Sequence, residues 1–214
     1  MTRNIEQPIS ASLASLIGSR ICHDLINPIG AISNGLELVA MSEPTPEGPE
    51  MSLIQQSCDN ATARIQFFRI AFGSAGDRQL IPQQTAARVL ANQFAGTRIS
   101  TAWRVQDDVA RCTVQLGYLA ALCLETALPY GGEVAISQDN GSLICLGSGD
   151  SVTQDPALWS HLQQGADGEA GALRPAQVQF ALLAQICSEC GISPEVIQDE
   201  AGLRLIIQVP SHAS

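Results

Sequence analysis

The sequence has no lysine: all 11 of its basic residues are arginines. That absence removes Schiff-base chemistry, the lysine of a Walker-A phosphate loop and the strand lysine of a protein-kinase fold. Positive charge is scarce altogether, with 21 acidic residues and a net charge of −10. A nucleic-acid partner is not expected, because phosphate backbones demand a basic surface. Aromatics make up only 4% of the chain, so Leu, Ile, Val and Ala must supply the packing. No apolar run reaches the ~18 residues of a membrane span. The start, Met1 to Gln7, is polar and carries both signs, unlike a secretory signal. Seven cysteines, an odd number, fit a reduced cytoplasmic thiol set better than a disulfide framework.

What is present is a globular composition: 214 residues, 45% hydrophobic and 15% charged. The length allows one domain or two modest ones. The chain divides into two parts of different grammar, 1–76 and 77–214. In the first, Pro8 to Met41 reads as a helix with an apolar stripe at Leu25, Ile29, Ile32, Leu36 and Val39. The run Ser42 to Pro49, rich in proline and glycine, is a loop. A second helix, Glu50 to Ala75, places Met51, Ile54, Cys58, Ala61, Ile65, Phe68 and Phe72 at heptad spacing. Two such helices form an antiparallel hairpin that covers only part of each stripe. Pairing with a second copy into a four-helix bundle would close the core, so a homodimer is expected.

From Asp77 onward helices and strands mix. Helices are expected at Pro82–Phe94, Thr113–Leu128, Asp155–Gln164 and Arg174–Cys190. Strands are expected at Thr97–Val105, Glu133–Gln138, Ser142–Leu146, Val196–Asp199 and Leu203–Val209, mostly joined as hairpins. The expected class is α+β: a helical hairpin followed by an α/β sandwich with helices on one face of a sheet.

Of the three histidines, His161 and His212 read as solvated or packing residues. His23 differs because of its neighbours. At ~100° per residue it lies ~160° from Leu25 and ~120° from Ile29, so it faces solvent in mid-helix. Arg20, Ser19 and Asn27 share its face at helical spacing. Asp24 can fold its carboxylate alongside the ring. Pro28, inside a helix, removes a backbone hydrogen bond and bends the axis. Neutral imidazole is a nucleophile at physiological pH, and a carboxylate on one nitrogen strengthens the other. Phosphoryl transfer asks mainly for alignment and charge neutralisation, and Arg20 can supply charge to a phosphoryl group on His23.

The run His23-Asp24-Leu25-Ile26-Asn27-Pro28-Ile29 resembles the H-box of two-component histidine kinases: His, then Glu or Asp, Leu, any residue, Thr or Asn, Pro, Leu or Ile. The longer run from Arg20 to Glu37 is similar to the ChpT family of histidine phosphotransferases. The resemblance implies a hairpin followed by a domain like the histidine-kinase ATPase fold, and a homodimer through the hairpin. It implies that His23 carries a phosphoryl group, that Asp24 is its acid/base and orienting neighbour, and that Asn27 positions the attacking or leaving group. Such proteins accept phosphoryl from the receiver of a hybrid kinase and pass it to the aspartate of a response regulator. No cofactor is expected on this chain; magnesium comes with the partner receiver. A receiver is expected to dock around His23 on Arg20, Ile26, Gly30 and the second helix.

The second half departs from a working kinase. Leu122 and Thr126 stand where its nucleotide-holding helix carries asparagines. Gly147 stands where its adenine-reading aspartate would be, and Ala172-Leu173-Arg174-Pro175 replaces the glycine-rich cradle. A nucleotide-free fold re-used for docking is therefore expected. Two alternatives stay open: an active kinase with an unusual nucleotide site, and a non-catalytic dimeric adaptor that sequesters a regulator. Cys187 and Cys190 have CxxC spacing but no further ligands nearby, and read as packing thiols. Asp107-Asp108 reads as a solvated turn, and Glu125 as a vestige of the nucleotide site.

Overall fold

Helix α1 (Ala11–Met41) and helix α2 (Pro49–Ala71) lie against one another as a hairpin. The structure is a computed structural model and describes residues 11–41, 48–73, 80–164 and 173–209. The expected helix start at Pro8, most of the loop from Ser42, the end of the second helix at Ala75 and His212 lie outside the described residues. Pro49 opens α2, where its missing N–H costs nothing. Glu50 in the first turn and Arg69 in the last complement the helix dipole. Helix α1 runs through Pro28 without interruption, and the Pro28 ring is buried.

The faces that meet inside the hairpin differ from the expected stripe. The buried positions of α1 include Ile17, Pro28 and Gly35, a line rotated roughly 70–80° around the helix from the Leu25–Val39 stripe. The reason is close approach: a Cβ on Gly35 would sit 2.5 Å from Ile54 Cγ1. Small and flat residues let α2 lie near the backbone of α1. Of the stripe, Leu25, Ile32 and Val39 are half-buried, whereas Ile29 is 57% and Leu36 55% exposed, as is Ile65 of α2 at 54%.

The remainder comprises β1 (Leu80–Ile81), α3 (Gln83–Phe94), β2 (Ile99–Trp103), β3 (Val109–Ala110), α4 (Arg111–Thr126), β4 (Gly132–Asp139), β5 (Ser142–Ser148), α5 (Pro156–Gln164), α6 (Val178–Glu189), β6 (Glu195–Asp199) and β7 (Gly202–Gln208). A 3-10 turn, Pro175–Gln177, precedes α6. The main sheet has the order β2-β4-β5-β7-β6; β2 and β4 are parallel and every other pair is antiparallel. Register puts Cys145 opposite Ile136 and Leu205, so three strands bury one shared face. Asn140 and Gly141, both at positive φ, make the tight β4–β5 turn. The short β1–β3 pair has too few residues to show strand alternation in the sequence.

Helix α4 is buried at every position from Thr113 to Leu124, because the sheet covers one side and α2 and α6 the others. It also fastens the hairpin. Phe67 of α2 stacks on Tyr118 of α4 at 4.7 Å, and Tyr118 Oη donates to Ala86 O at 2.8 Å. Gln115 Nε2 donates to Ala71 O and Gly73 O, serving carbonyls left open at the end of α2. At the other end of the hairpin base, Leu13 and Ile17 of α1 join the same continuous apolar core.

Candidate functional site

His23 stands in the middle of α1 with its side chain 77% exposed. The stripe and the intrachain face both lie on other sides of the helix, so nothing among the described residues of the hairpin covers it. Its Nδ1 lies 3.1 Å from Asp24 Oδ1. Asp24, by contrast, is only 10% exposed and faces inward. Arg20 Nε donates to Asp24 Oδ2 at 2.7 Å, and Arg64 of α2 lies 4.0 Å from the same oxygen. One carboxylate oxygen therefore serves the imidazole while the other is held by guanidinium groups. This division fixes the carboxylate plane more firmly than either contact alone.

The Asp24 contact has a chemical consequence. A carboxylate is an acceptor only, so it favours the tautomer with hydrogen on Nδ1. The lone pair then sits on Nε2, on the exposed edge of the ring. The arrangement is a solvated nitrogen nucleophile with a built-in counter-charge.

The other residues singled out from sequence fall on the same surface. Ser19, Ile26, Asn27 and Gly30 are all exposed, Ile26 at 67%. An added Cβ on Gly30 meets nothing within 4 Å, so no contact among the described residues requires glycine there. Arg20 differs from the expectation of an open cation. Its side chain is 15% exposed, and its Nη1 donates to Ala176 O of the 3-10 turn at 2.9 Å. Two residues that sequence spacing could not add are Arg64 and Glu125, which come from other helices. Burial pushes the Glu125 carboxyl above the ordinary carboxylate range; Arg20 opposes the shift, Asp24 adds to it and Arg64 opposes it.

The positions where a kinase would hold nucleotide differ in exposure, Thr126 lying at the surface. Leu122 is fully buried, and its carbonyl accepts from Gln179 Nε2 at 3.3 Å. Thr126 Oγ1 is turned back to Cys123 O at 2.7 Å. Gly147 lies against Leu124, with room for a Cβ only at 3.3 Å. Among the described residues no group of three or more His, Cys, Asp or Glu side chains is placed to hold a metal. Cys187 is buried, its thiol pushed up to about 12, first by burial and then by Cys190. No helix among the described residues is long and apolar enough to cross a membrane.

The fold and site thus define a class: α+β proteins in which a helical hairpin displays a histidine–carboxylate pair beside a one-sided α/β layer. Residues 83–202 match the family model described as the histidine phosphotransferase C-terminal domain. The chain belongs to the histidine phosphotransferase family. Its relatives include the protein phosphotransferase ChpT of Brucella abortus, 39% identical over 126 residues, which are 58% of this chain and 59% of that protein. The matched region thus spans less than two thirds of that relative. A solved bacterial phosphotransferase superposes with a TM-score of 0.76 at 29% identity, covering 94% of this chain and 98% of its own. A histidine kinase of Acinetobacter baumannii, AdeS, overlaps more loosely, with a TM-score of 0.43 at 12% identity over 89% of this chain and 98% of its own.

Proposed function

We propose that the chain is a histidine phosphotransferase of a phosphorelay, taking phosphoryl on His23 from a receiver aspartate and returning it to the aspartate of a response regulator. The single observation that carries the reading is the exposed imidazole with Nδ1 held by Asp24. In the forward step the Nε2 lone pair attacks phosphorus of the aspartyl phosphate. The P–N bond forms and the P–O bond to the donor carboxylate breaks, and that carboxylate leaves with the electron pair. Hydrogen stays on Nδ1, and Asp24 balances the positive charge on the phosphorylated ring. Transfer to the next aspartate is the same step reversed, so one site serves both partners. Magnesium belongs to the receiver, whose carboxylates suit a hard cation.

Asn27 shares the exposed face and is assigned to positioning the incoming or outgoing oxygen. Ser19, Ile26 and Gly30 form the ground on which a receiver docks, and Arg20 adds positive potential beneath the transferring group. Gly30 supports this, since glycine costs a helix interior about 1 kcal/mol relative to alanine and nothing among the described residues asks for it. The exposed apolar residues Ile29, Leu36 and Ile65 support a homodimer closing a four-helix bundle. The buried Leu122 and the packing around Gly147 support an α/β domain, 77–214, that works without ATP beside a hairpin domain, 1–76. A cytoplasmic location follows from soluble receivers as partners.

The test mixes the chain with a receiver domain carrying labelled aspartyl phosphate. Label is expected on the wild type and absent from His23→Ala. Label on His23→Ala at the wild-type level contradicts the reading. Titration with ATP and magnesium is expected to give no binding heat; micromolar binding would instead favour an autonomous kinase.

A further inference from the structure

The two guanidinium groups beside Asp24 are held very differently. Arg20 is committed twice: its Nε donates to Asp24 Oδ2 at 2.7 Å and its Nη1 to Ala176 O at 2.9 Å. Arg64 reaches the same carboxylate from α2, but its Nη1 stays 4.0 Å from Oδ2, and its side chain is 33% exposed against 15% for Arg20. That separation is an ion pair without a hydrogen bond, a contact that restrains a long side chain little. Asp24 has no further need of it, since Oδ2 already accepts from Arg20 and Oδ1 faces His23 Nδ1 at 3.1 Å. Arg64 is therefore a loosely held cation, one carboxylate away from the imidazole.

We propose that Arg64 is the phosphoryl-binding cation of the site: once His23 carries a phosphoryl group, the Arg64 guanidinium leaves Asp24 and pairs with the phosphoryl oxygens, while Arg20 stays to hold Asp24. The inference rests on the proposed role of His23 and deepens it by adding a residue from the second helix. The physical argument is a change in the balance of charge. Before transfer, one carboxylate is shared by two guanidinium groups. A phosphoryl group on the ring adds a charge of about −1.5 to −2 beside them. Arg20 cannot follow that charge without giving up two hydrogen bonds and leaving the largely buried Asp24 carboxylate without its donor. Arg64 gives up only the 4.0 Å contact, and its planar fork of donors suits phosphoryl oxygens. The pairing forms only as the group arrives at Nε2, so it stabilises the transfer itself and not the resting protein.

The test uses the full chain with phosphoramidate as donor, which removes receiver docking from the measurement. In uptake the Nε2–P bond forms and the P–N bond of the donor breaks, ammonia leaving with the electron pair. Two quantities are read: the uptake rate, and the midpoint of the ³¹P titration of the phosphohistidine formed. A cation on the phosphoryl oxygens favours their ionised form, so its loss raises that midpoint. Arg64→Gln removes the charge. It is expected to slow uptake about three- to tenfold and to raise the midpoint by about half a unit to one unit, the same factor read as an equilibrium. Arg64→Lys keeps the charge without the fork and is expected to recover most of the midpoint but less of the rate. Arg88→Gln, exposed on α3, is the control for net charge and is expected to change neither.

Wild-type uptake and midpoint in Arg64→Gln would overturn the inference while leaving His23 as the acceptor. An equal response in Arg88→Gln would overturn it as well. If Arg64→Gln fails to fold, the wild type decides: on phosphorylation the guanidinium signals of Arg64 in ¹⁵N NMR are expected to shift further than those of Arg20, and an equal or smaller shift would overturn the inference. Uptake by His23→Ala at the wild-type rate would instead sink the functional reading, and the role of Arg64 with it.

Discussion

At the scale of single residues, the His23 neighbourhood is a balance of small exposed contacts around one buried carboxylate. Replacing Asp24 with Asn keeps the size and removes the acceptor charge. Phosphoryl uptake should fall on the order of a hundredfold, the weight of a positioned acid–base partner. A rate measurement on Asp24→Asn checks this, and an unchanged rate would remove Asp24 from the site. Glu125 gives a second prediction with a sign. Burial raises its carboxyl above its ordinary 4.5 in the folded chain, so the fold binds a proton there that the unfolded chain has released. The native state therefore loses stability as pH rises from 4.5 through the raised value. Glu125→Gln removes that loss. It should melt at or above the wild-type temperature at neutral pH, with a flatter pH dependence, as thermal unfolding across pH would show.

The residue scale is also where the sequence is most legible. The exposure of His23 follows from its angle to the apolar positions of α1, and the nearness of Asp24 from adjacency. Arg64, Glu125 and Ala176 could not be reached by such reasoning. Spacing along one helix says nothing about which side chains other helices bring to it. Arg20 shows both sides of this: its place on the His23 face is periodic, whereas its bond to Ala176 O depends on tertiary packing.

At the scale of elements, periodicity located the long helices and five sheet strands to within a few residues. It did not identify the face on which α1 and α2 meet. Apolar counting favoured the Leu25–Val39 stripe, whereas close approach at Gly35 decided the contact with Ile54 of α2. A hydrophobicity pattern rewards large side chains and gives no weight to glycine or proline at a seam. Gly35→Val should therefore spread the hairpin against Ile54 and cost roughly 1–3 kcal/mol as overpacking, checked by denaturant unfolding. The two-residue strands β1 and β3 were too short to register as alternation. Helix α4 read simply as an apolar helix, and its role as the element joining sheet, hairpin and α6 emerges only from packing. Phe67→Ala would remove the ring stacked on Tyr118 and should cost about 3–5 kcal/mol, again read by unfolding.

At the scale of the whole molecule, the hairpin and α/β body share one apolar core, from Leu13 and Phe67 to Leu205. The body is thus a rigid base for the helix that carries His23. The proposed second copy would cover Ile29, Leu36 and Ile65 and leave His23, on another side of α1, accessible. Leu36→Glu should shift the chain to monomer in sedimentation velocity; an unchanged sedimentation coefficient would place the dimer seam elsewhere or remove it.

The most direct measurement of the central claim is the site of phosphorylation. After exposure to a phosphorylated receiver, the chain is analysed by ³¹P NMR and by fragmentation mass spectrometry under alkaline conditions, where phosphohistidine survives. The account predicts one acid-labile phosphoryl group on Nε2 of His23. Phosphoryl on His161, on a carboxylate of this chain, or nowhere would contradict it.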